Sequence, residues 1–378
     1  MSKLLTLMLL VLPLLCEGAG KPDILLGQVV SVSSPLVGEI SSELTSGYEA
    51  YFDQLNRHGG IQGRKVRLVQ RDDGYKAENT LALTRELIER DKVVALVGYL
   101  GTPGPTLVVR NNLLVDNGIA MVGPSSGVAS LLAEKNVFPV RATYEAELAA
   151  IVAHAKAMQL KRIALLVWSA GAGPLLANEF PSIVKKAGLN LVYQKMFKPT
   201  SDKAEMSRTL VSAIKPLHAA QVDAVLLIAG GSALYDAFRE LRSQLPRTLP
   251  LYTISSVNWQ DLITNLGLKM SQGIVISQAV PYPYSPQLPI VKNYIEVMHK
   301  SGRSVNYYSL EGYLGAAVIA DALKRASPDV TRAGVLAALS ETGKREIGGF
   351  EFDYTEGMRS GYRKPDITMI TSRGTLLR

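Results

Sequence analysis

The first half of the chain alternates short apolar runs with longer segments whose apolar residues recur every three or four positions. Short runs of this kind are typical of buried parallel strands, and the longer spacing is typical of amphipathic helices. The runs lie at residues 24–30, 66–70, 93–97 and 119–122, with helical spacing clearest at Leu44, Tyr48, Tyr51, Phe52 and Leu55 and at Ala77, Leu81, Thr84, Leu87 and Ile88. This alternation predicts an α/β fold with a doubly wound parallel sheet.

The same alternation restarts beyond Arg141. Its apolar runs lie at residues 163–168, 189–193, 225–229 and 251–254, and segments with helical spacing separate them. Each half is therefore expected to carry its own sheet. Because ligands on such sheets bind beyond the carboxyl ends of the strands, two facing sheets would enclose a cleft.

From Gly273 onward the pattern changes. We expect a strand at 274–277, a loop rich in Pro and Tyr at 282–286, helices near 288–299, 309–326 and 332–339, and a closing hairpin made of 350–353 and 367–370.

The turn GYLGTPGPT, residues 98–106, joins the apolar run 93–97 to a helical segment. Where a strand meets a helix start, several backbone N–H groups have no partner within the helix. Together with the hydroxyl of Thr102, such groups can hold a carboxylate or another hydrogen-bond acceptor without a charged side chain. An ordinary βα turn is the alternative interpretation.

The first twenty residues resemble an export signal. Lys3 precedes an apolar stretch at 4–15 that is too short to span a membrane comfortably, and small residues follow at 18–20. Cleavage near Gly20 would place the protein in the periplasm. It would also remove Cys16, the only cysteine, and with it any disulfide or thiol chemistry. A lipoprotein anchored through Cys16 is the alternative, which the bulky Leu15 before it disfavours.

The charge pattern argues against a nucleic-acid partner. The formal net charge is +8, but the basic residues are scattered along the chain and not gathered in a stripe or a basic helix. We interpret them as a solvated surface.

Motifs of catalysis, metal binding and cofactor binding are missing from the sequence. The four histidines, at 58, 154, 218 and 299, have no metal-ligand spacing, and no Gly-x-Ser-x-Gly motif or phosphate-binding loop occurs. Gly171, Ala172 and Gly173 imitate a dinucleotide-binding turn but lack its third glycine. We therefore expect no metal, no cofactor and no enzymatic activity.

Six segments taken together resemble a known family. They are residues 63–80, 96–106, 122–132, 137–147, 309–313 and 348–357, and they occur in the order typical of the leucine/isoleucine/valine-binding family of periplasmic solute receptors, which serve ABC importers. The resemblance implies a type I periplasmic binding protein fold, with two lobes joined by three crossovers near 140–142, 272–276 and 347–352. Residues 21–141 and 274–346 would form the N-terminal lobe, and 142–273 and 347–378 the C-terminal lobe.

The resemblance also implies partners and a site. The partners would be a small solute and a membrane permease, and we expect the protein to be a monomer. On the first lobe, Thr102 and the loop Ser125, Ser126 and Gly127 would hold the solute, with Tyr144 as a wall residue. Closure would bring Gly171, Ala172, Gly231 and Ser255 over it, and Tyr282, beside the second crossover, is a further candidate.

Three departures from the family pattern bear on the solute. Ser255 stands where amino-acid binders carry an acidic partner for the ammonium group, and the loops 169–173 and 230–232 lack an aromatic residue. Tyr75 and Gly101 occupy the positions of a family disulfide. Because a buried unpaired ammonium is costly, these departures disfavour an α-amino acid and suggest a wider or more apolar cavity. An aliphatic or aromatic acid, an amide or a lipid-like solute fits this pattern.

Two further interpretations remain open from the sequence alone. The chain could be a ligand-sensing or lipid-carrying module for a membrane partner other than an ABC permease. A secreted hydrolase on the same fold would need a nucleophile with a base, and the sequence offers no such set. Glu311, on a segment with helical spacing, is interpreted as a structural residue that pairs locally.

Overall fold

The computed structural model describes residues 21–341, 343–356 and 359–378. The predicted export signal, with Cys16, lies outside the described residues. Among them, no helix combines the length and the apolar character needed to cross a membrane.

The first lobe is built on a five-stranded sheet with the order β2-β1-β3-β4-β5. All of its neighbouring strands are parallel. Its strands are β1 (Ile24–Val30), β2 (Val66–Asp72), β3 (Ala95–Val97), β4 (Met121–Val122) and β5 (Val137–Phe138). The apolar runs become its central strands because helices cover both faces, so every side chain of β3 and β4 is buried.

The second lobe is built on a seven-stranded sheet with the order β14-β13-β10-β9-β8-β6-β7. Its strands are β6 (Arg162–Trp168), β7 (Asn190–Phe197), β8 (Ala224–Ile228), β9 (Leu251–Thr253), β10 (Ile274–Gln278), β13 (Asp366–Ile370) and β14 (Leu376–Leu377). The strands from β6 to β10 are parallel, and β13 and β14 are antiparallel additions at one edge. A separate antiparallel hairpin consists of β11 (Lys344–Ile347) and β12 (Phe350–Asp353).

The helices alternate with these strands as predicted. They are α1 (Gly38–Arg57), α2 (Ala77–Glu89), α3 (Pro103–Arg110), α4 (Leu113–Asp116), α5 (Ala129–Leu132), α6 (Tyr144–Ala157), α7 (Gly173–Lys186), α8 (Lys203–Ile214), α9 (Gly231–Gln244), α10 (Trp259–Leu266), α11 (Leu268–Ser271), α12 (Pro289–Lys300), α13 (Tyr307–Arg325) and α14 (Arg332–Ser340), with a short 3₁₀ helix at Lys215–His218. The predicted α/β fold with two lobes, each carrying its own sheet, is confirmed.

Two helices that carry site residues begin at well-made caps. Thr143 caps α6 by accepting a hydrogen bond from the N–H of Ala146. Asn306 caps α13 in a capping box with Ser309. Because such caps satisfy N–H groups that the first turn cannot pair, they fix where α6 and α13 start. The side chains of Tyr144 and Tyr308 therefore project from defined positions.

The strand pairing shows that two of the three expected crossovers lie later in the chain than the sequence predicted. The first expectation fits, because β5 belongs to the first sheet and α6 packs on the core of the second lobe. The second and third were placed too early. Strand β10 pairs with β9 in the second sheet, so residues 274–278 do not belong to the first lobe. The crossover follows this strand.

The hairpin differs from its prediction as well. Strand β12 pairs with β11, whereas residues 367–370 belong to β13 and pair with β10. The side chains of Phe350 and Phe352 pack in the core of the first lobe, so the third crossover lies beyond them. An apolar run indicates that a segment forms a strand, but it does not indicate which strand lies beside it. For this reason the partner of β12 was predicted wrongly.

Candidate functional site

A cavity of about 80 Å³ lies between the two lobes. Both lobes line it, and most of its wall is apolar or aromatic. Its lining residues include Val37, Ile40, Tyr75, Leu100, Thr102, Ser125, Arg141, Tyr144, Trp168, Leu176, Ile228, Gly230, Ile254, Ser255 and Tyr308. The carboxyl ends of the central strands point toward it, which is where ligands bind on sheets of this kind.

The predicted residues of the first lobe meet at one edge of this cavity. The hydroxyl of Thr102 and that of Ser126 are hydrogen-bonded at 2.9 Å, and Thr102 and Ser125 line the cavity. Ser126 lies behind them, fully buried. Gly127 accepts a hydrogen bond of 2.7 Å from the N–H of Tyr144, and this bond ties the loop to the start of α6.

Fewer backbone donors are free at this edge than the turn alone suggests. The N–H groups of Gly101 and Ser125 bond to Ser125 and Tyr99 across the two loops, and that of Ser126 bonds to Pro124. Helix α3 also begins at Pro103, which has no N–H. Within the described part of the chain, the N–H groups of Thr102 and Gly127 have no partner. Of the two residues only Thr102 lines the cavity, so its N–H is the donor that a solute could use, whereas Gly127 is buried behind the wall.

Trp168 forms the main wall on the second lobe. It ends β6, it is 7% exposed, and its indole lies in a hollow made by glycines. A Cβ atom on Gly230 would lie 2.8 Å from the indole, and one on Gly173 would lie 2.1 Å from the carbonyl oxygen of Trp168. The sequence predicts that the small residues make the cavity wider or more apolar. They make room for the indole of Trp168, so they do not widen the cavity, but its largely apolar wall agrees with the second alternative.

Tyr75 occupies space that a side chain at position 101 would need. A Cβ atom on Gly101 would lie 2.6 Å from the ring of Tyr75, and both residues line the cavity. The two positions at which the family carries a disulfide are therefore in contact here, but they provide an aromatic wall.

A buried ionic cluster, consisting of Arg141, Glu147 and Glu311, closes the end of the cavity. The guanidinium of Arg141 donates to the Glu147 carboxylate at 3.0 Å and to the hydroxyl of Ser255 at 2.5 Å. The same carboxylate accepts hydrogen bonds from the N–H and hydroxyl of Ser255 and from the hydroxyl of Ser277. Charged groups are buried at low cost only when they are paired and hydrogen-bonded, as Glu147 is.

Glu311 is less well satisfied than Glu147. Its carboxylate lies 3.6 Å from the Arg141 guanidinium, and its Oε1 has no hydrogen-bond partner among the described residues. Burial raises the pKa of Glu311, and the lowering by Arg141 does not cancel this effect. Burial lowers the pKa of Arg141, but Glu311, Tyr144 and Glu147 outweigh it and the net pKa is raised. Glu311 therefore pairs with Arg141 at the junction of the lobes. The sequence suggested a local partner instead.

The cluster connects both lobes because Arg141 lies on the first crossover. Glu147 lies on α6 of the second lobe and Glu311 on α13 of the first. Arg141 also stacks over Tyr144, with its Cζ atom 5.2 Å from the ring centroid. The signal for this cluster in the sequence is Arg141, a single arginine within an apolar segment. Which carboxylates it pairs with could not be identified from the sequence.

The remaining predicted residues divide into two groups. Gly171, Ala172 and Ser255 line the cavity, as do Thr102, Ser125 and Tyr144. Gly231 does not line it but contacts the first lobe, since a Cβ atom there would lie 2.2 Å from the carbonyl oxygen of Leu36. Tyr282 lines a different cavity on the far side of the crossovers. With Ser126 and Gly127, which lie behind the wall, four members of the predicted set are outside the cavity lining.

An acidic seam, consisting of Glu39 and Glu43 on α1 and Asp261 on α10, crosses the junction between the lobes. Glu43 Oε1 accepts a hydrogen bond of 2.9 Å from Asn306 and is 3.5 Å from the amide nitrogen of Asn258 on the second lobe. Burial, with Asp261 and Glu39 nearby, raises the pKa of Glu43 from 4.5 to about 8. Burial and Glu39 likewise raise the pKa of Asp261 to about 6.

The acidic seam predicts a pH dependence of stability. A carboxyl whose pKa is raised in the folded protein stabilises it fully below the unfolded value, and this contribution is lost as the pH rises through the folded value. Because glutamine does not ionise, we expect Glu43→Gln to abolish this loss of stability at higher pH. Between pH 5 and pH 8.5 the variant should gain about 1–2 kcal/mol over the wild type, less than the full shift implies because the group is partly solvated.

Chemical denaturation at several pH values measures this difference. Glu89→Gln, at an exposed position on α2, is the matched control and should follow the wild-type curve. Parallel curves for Glu43→Gln and the wild type would contradict the prediction.

Within the described residues, no three His, Cys, Asp or Glu side chains are grouped so that they could hold a metal ion. The arrangement between the lobes offers hydroxyl groups, the free N–H group of Thr102 and aromatic walls, which suits the binding of a small molecule.

Comparisons with known proteins agree with this geometry. A family model described as periplasmic binding protein matches residues 23–362. The Leu/Ile/Val-binding protein homolog 3 of Brucella melitensis is 28% identical over 185 residues, but the match spans only 48% of this chain and 49% of that protein. The Leu/Ile/Val-binding protein homolog 7 of Brucella abortus is 25% identical over 359 residues, 88% of this chain and 85% of its own length.

A solved structure is similar over almost the whole chain. It is a substrate-binding periplasmic protein from Ralstonia solanacearum, with 26% identity, a TM-score of 0.85 and coverage of 94% of this chain and 99% of that one.

Proposed function

Because the chain belongs to the periplasmic binding protein family, we propose that it captures one small solute between its lobes in the periplasm and delivers it to the permease of an ABC importer. The observation that carries this proposal is the cavity between the lobes, which both lobes line and which is walled largely by apolar and aromatic side chains. Pockets for small molecules are built in this way, with few polar groups to fix orientation.

Capture proceeds in two steps in this proposal. The solute first contacts Thr102 and the loop of Ser125, Ser126 and Gly127 on the first lobe. Closure then brings Trp168, Ala172 and Ser255 over it and excludes water, and the closed form is what the permease recognises. Contacts such as the hydrogen bond of 3.0 Å from the Tyr308 hydroxyl to the carbonyl oxygen of Ser255 hold the lobes together in this form.

The solute is a small molecule with an apolar body, and a carboxylate or another acceptor is its polar end. The free N–H and the hydroxyl of Thr102, with the hydroxyl of Ser125, suit an acceptor group. Trp168, Tyr75 and Tyr144 suit an apolar body. The Leu/Ile/Val-binding relatives are named for branched amino acids, but in this chain the loop directly after β9 has no carboxylate to pair with an ammonium group. We therefore favour an aliphatic or aromatic acid over an amino acid.

Identification of the solute is the direct test. Mass spectrometry of molecules that co-purify with the protein from its native host would name candidates, and each should raise the melting temperature by mass action. A broad panel of metabolites, with acids, amides and lipids, would extend the search. If neither approach finds a stabilising molecule, the proposal fails.

Thr102→Val tests the polar edge of the site. The variant removes a hydroxyl that lines the cavity but keeps the shape of the side chain. We expect an unchanged fold and solute binding weakened by about 1–3 kcal/mol, because a buried acceptor loses its donor. Calorimetric titration measures the change. Thr106→Val, one turn further along α3, is the matched control and should bind as the wild type does. Equal affinities for the two variants would remove Thr102 from the site.

A further inference from the structure

A second cavity, of about 520 Å³, lies beside the second and third crossovers. It shares no lining residue with the cavity between the lobes. Its volume falls within the range of roughly 300–1,000 Å³ that is usual for small-molecule sites. Tyr282, which the sequence suggested for the cleft, lies in its wall.

Aromatic side chains form the floor of this cavity. Phe350 and Phe352, on β12, are buried in the core of the first lobe and stack with ring centroids 5.9 Å apart. Tyr282 is fixed by edge contacts with Tyr284 and Tyr307, at 5.4 and 6.4 Å between ring centroids. Phe350 and Phe352 are only 1% and 3% exposed, so they back the wall from the core, and the partly exposed rings of Tyr282 and Tyr362 offer aromatic surface to the cavity.

Cations outnumber carboxylates around the rim. Among the described residues, Lys344, Arg363, Lys364 and Arg378 line the cavity together with Glu351 and Asp353. Asp366 pairs with Arg378 at 3.0 Å, so the four cations face three carboxylates and one positive charge is in excess. Asp353 is held by Arg363 at 3.1 Å. Lys364 forms no ion pair within the described residues, and Arg378 stands over the Tyr282 ring at 5.8 Å.

We propose that this second cavity binds a small organic anion with an aromatic or otherwise apolar body. The body would lie against Tyr282, and its acidic group would face Lys364, which has no ion pair among the described residues. Lys364 is exposed, so its attraction for an anion is a surface interaction that salt screens, and burial of the apolar body against the wall supplies the rest of the binding. The site is independent of the one that captures the transported solute.

4-Bromobenzoate is a suitable probe because it combines a ring with a carboxylate, and its bromine can be located by anomalous diffraction. Calorimetric titration at low salt should show binding to the wild-type protein that weakens by about ten-fold in Lys364→Glu, since the variant reverses the charge at the rim. Lys186→Glu, at the exposed end of α7, is the matched control for net charge and should bind as the wild type does.

Crystals grown with 4-bromobenzoate provide the location. A bromine peak against Tyr282, together with selective weakening in Lys364→Glu, supports the proposal. A peak found only between the lobes overturns it, as does equal binding by the two lysine variants or absence of binding in solution. A peak between the lobes would at the same time agree with an aromatic acid as the transported solute. The other two negative results leave that proposal untouched, because its test uses Thr102 and a different cavity.

Discussion

Replacing Arg141 by methionine should lower the free energy of unfolding by about 3–5 kcal/mol, the cost typical of removing one partner from a buried ion pair. Arg141 is 3% exposed and Glu147 is fully buried, so the carboxylate of Glu147 would lose its counter-charge in an environment without water. The hydroxyl groups of Ser255 and Ser277 would remain as donors but cannot neutralise the charge. Chemical denaturation followed by circular dichroism measures the loss.

A second variant separates lost charge from lost packing. In Arg141→Met/Glu147→Gln neither residue is charged, so part of the stability should return if the unpaired carboxylate causes the loss. Arg67→Met is the surface control, because Arg67 pairs with Asp23 at an exposed position and should cost less than about 1 kcal/mol. If Arg141→Met costs no more than this control, the buried cluster does not stabilise the junction of the lobes.

The fold could be predicted because its signals are local. Strands β3 and β8 are uninterrupted apolar runs, β1 is broken only at Gly27 and Gln28, and β6 is apolar after Arg162. Each helix shows its own period, so these strands could be predicted from a few residues each. The family resemblance is confirmed by the match over residues 23–362. Strand partners are set by packing between distant segments, and for this reason β10 and β12 were given the wrong neighbours.

Site residues could be predicted from the sequence only where a single loop determines their position. Thr102 and Ser125 follow strands of the same sheet, so their place at its carboxyl edge follows from topology. The bonds that occupy the N–H groups of Gly101 and Ser125 run between two loops and could not be seen from either of them. The number of backbone N–H groups that are free to bind a solute was therefore overestimated from the sequence.

A second error concerns the space around Trp168. The small residues of these loops suggested a wider or more apolar cavity. Two of the glycines, at 171 and 173, come from one turn and the third, at 230, from a different strand end, and a single indole occupies the hollow they form, so the wall is apolar but the space is filled. Whether a small residue leaves a void depends on its neighbours in space. A tryptophan at the end of a strand, followed by a glycine-rich turn, was the available signal.

The largest effect on binding is expected from Gly231→Ala. Gly231 has a positive φ of 54°, and the added Cβ would lie 2.2 Å from the carbonyl oxygen of Leu36, which belongs to the opposite lobe. The obstacle is backbone and cannot rotate away, so the lobes must separate to relieve it. We expect closure to be disfavoured by about 1–3 kcal/mol or more, which weakens solute binding by roughly 5- to 150-fold.

Gly188→Ala is the matched control for this variant. Gly188 has a φ of 76° in the second lobe, and its added Cβ would meet no atom within 4 Å, so it carries the same kind of backbone strain without the clash. Both variants should lose about 1 kcal/mol of stability from that strain. Only Gly231→Ala should bind the co-purified solute more weakly and remain more open in small-angle X-ray scattering with the solute present. If the two variants bind equally, closure does not depend on the contact between Gly231 and Leu36.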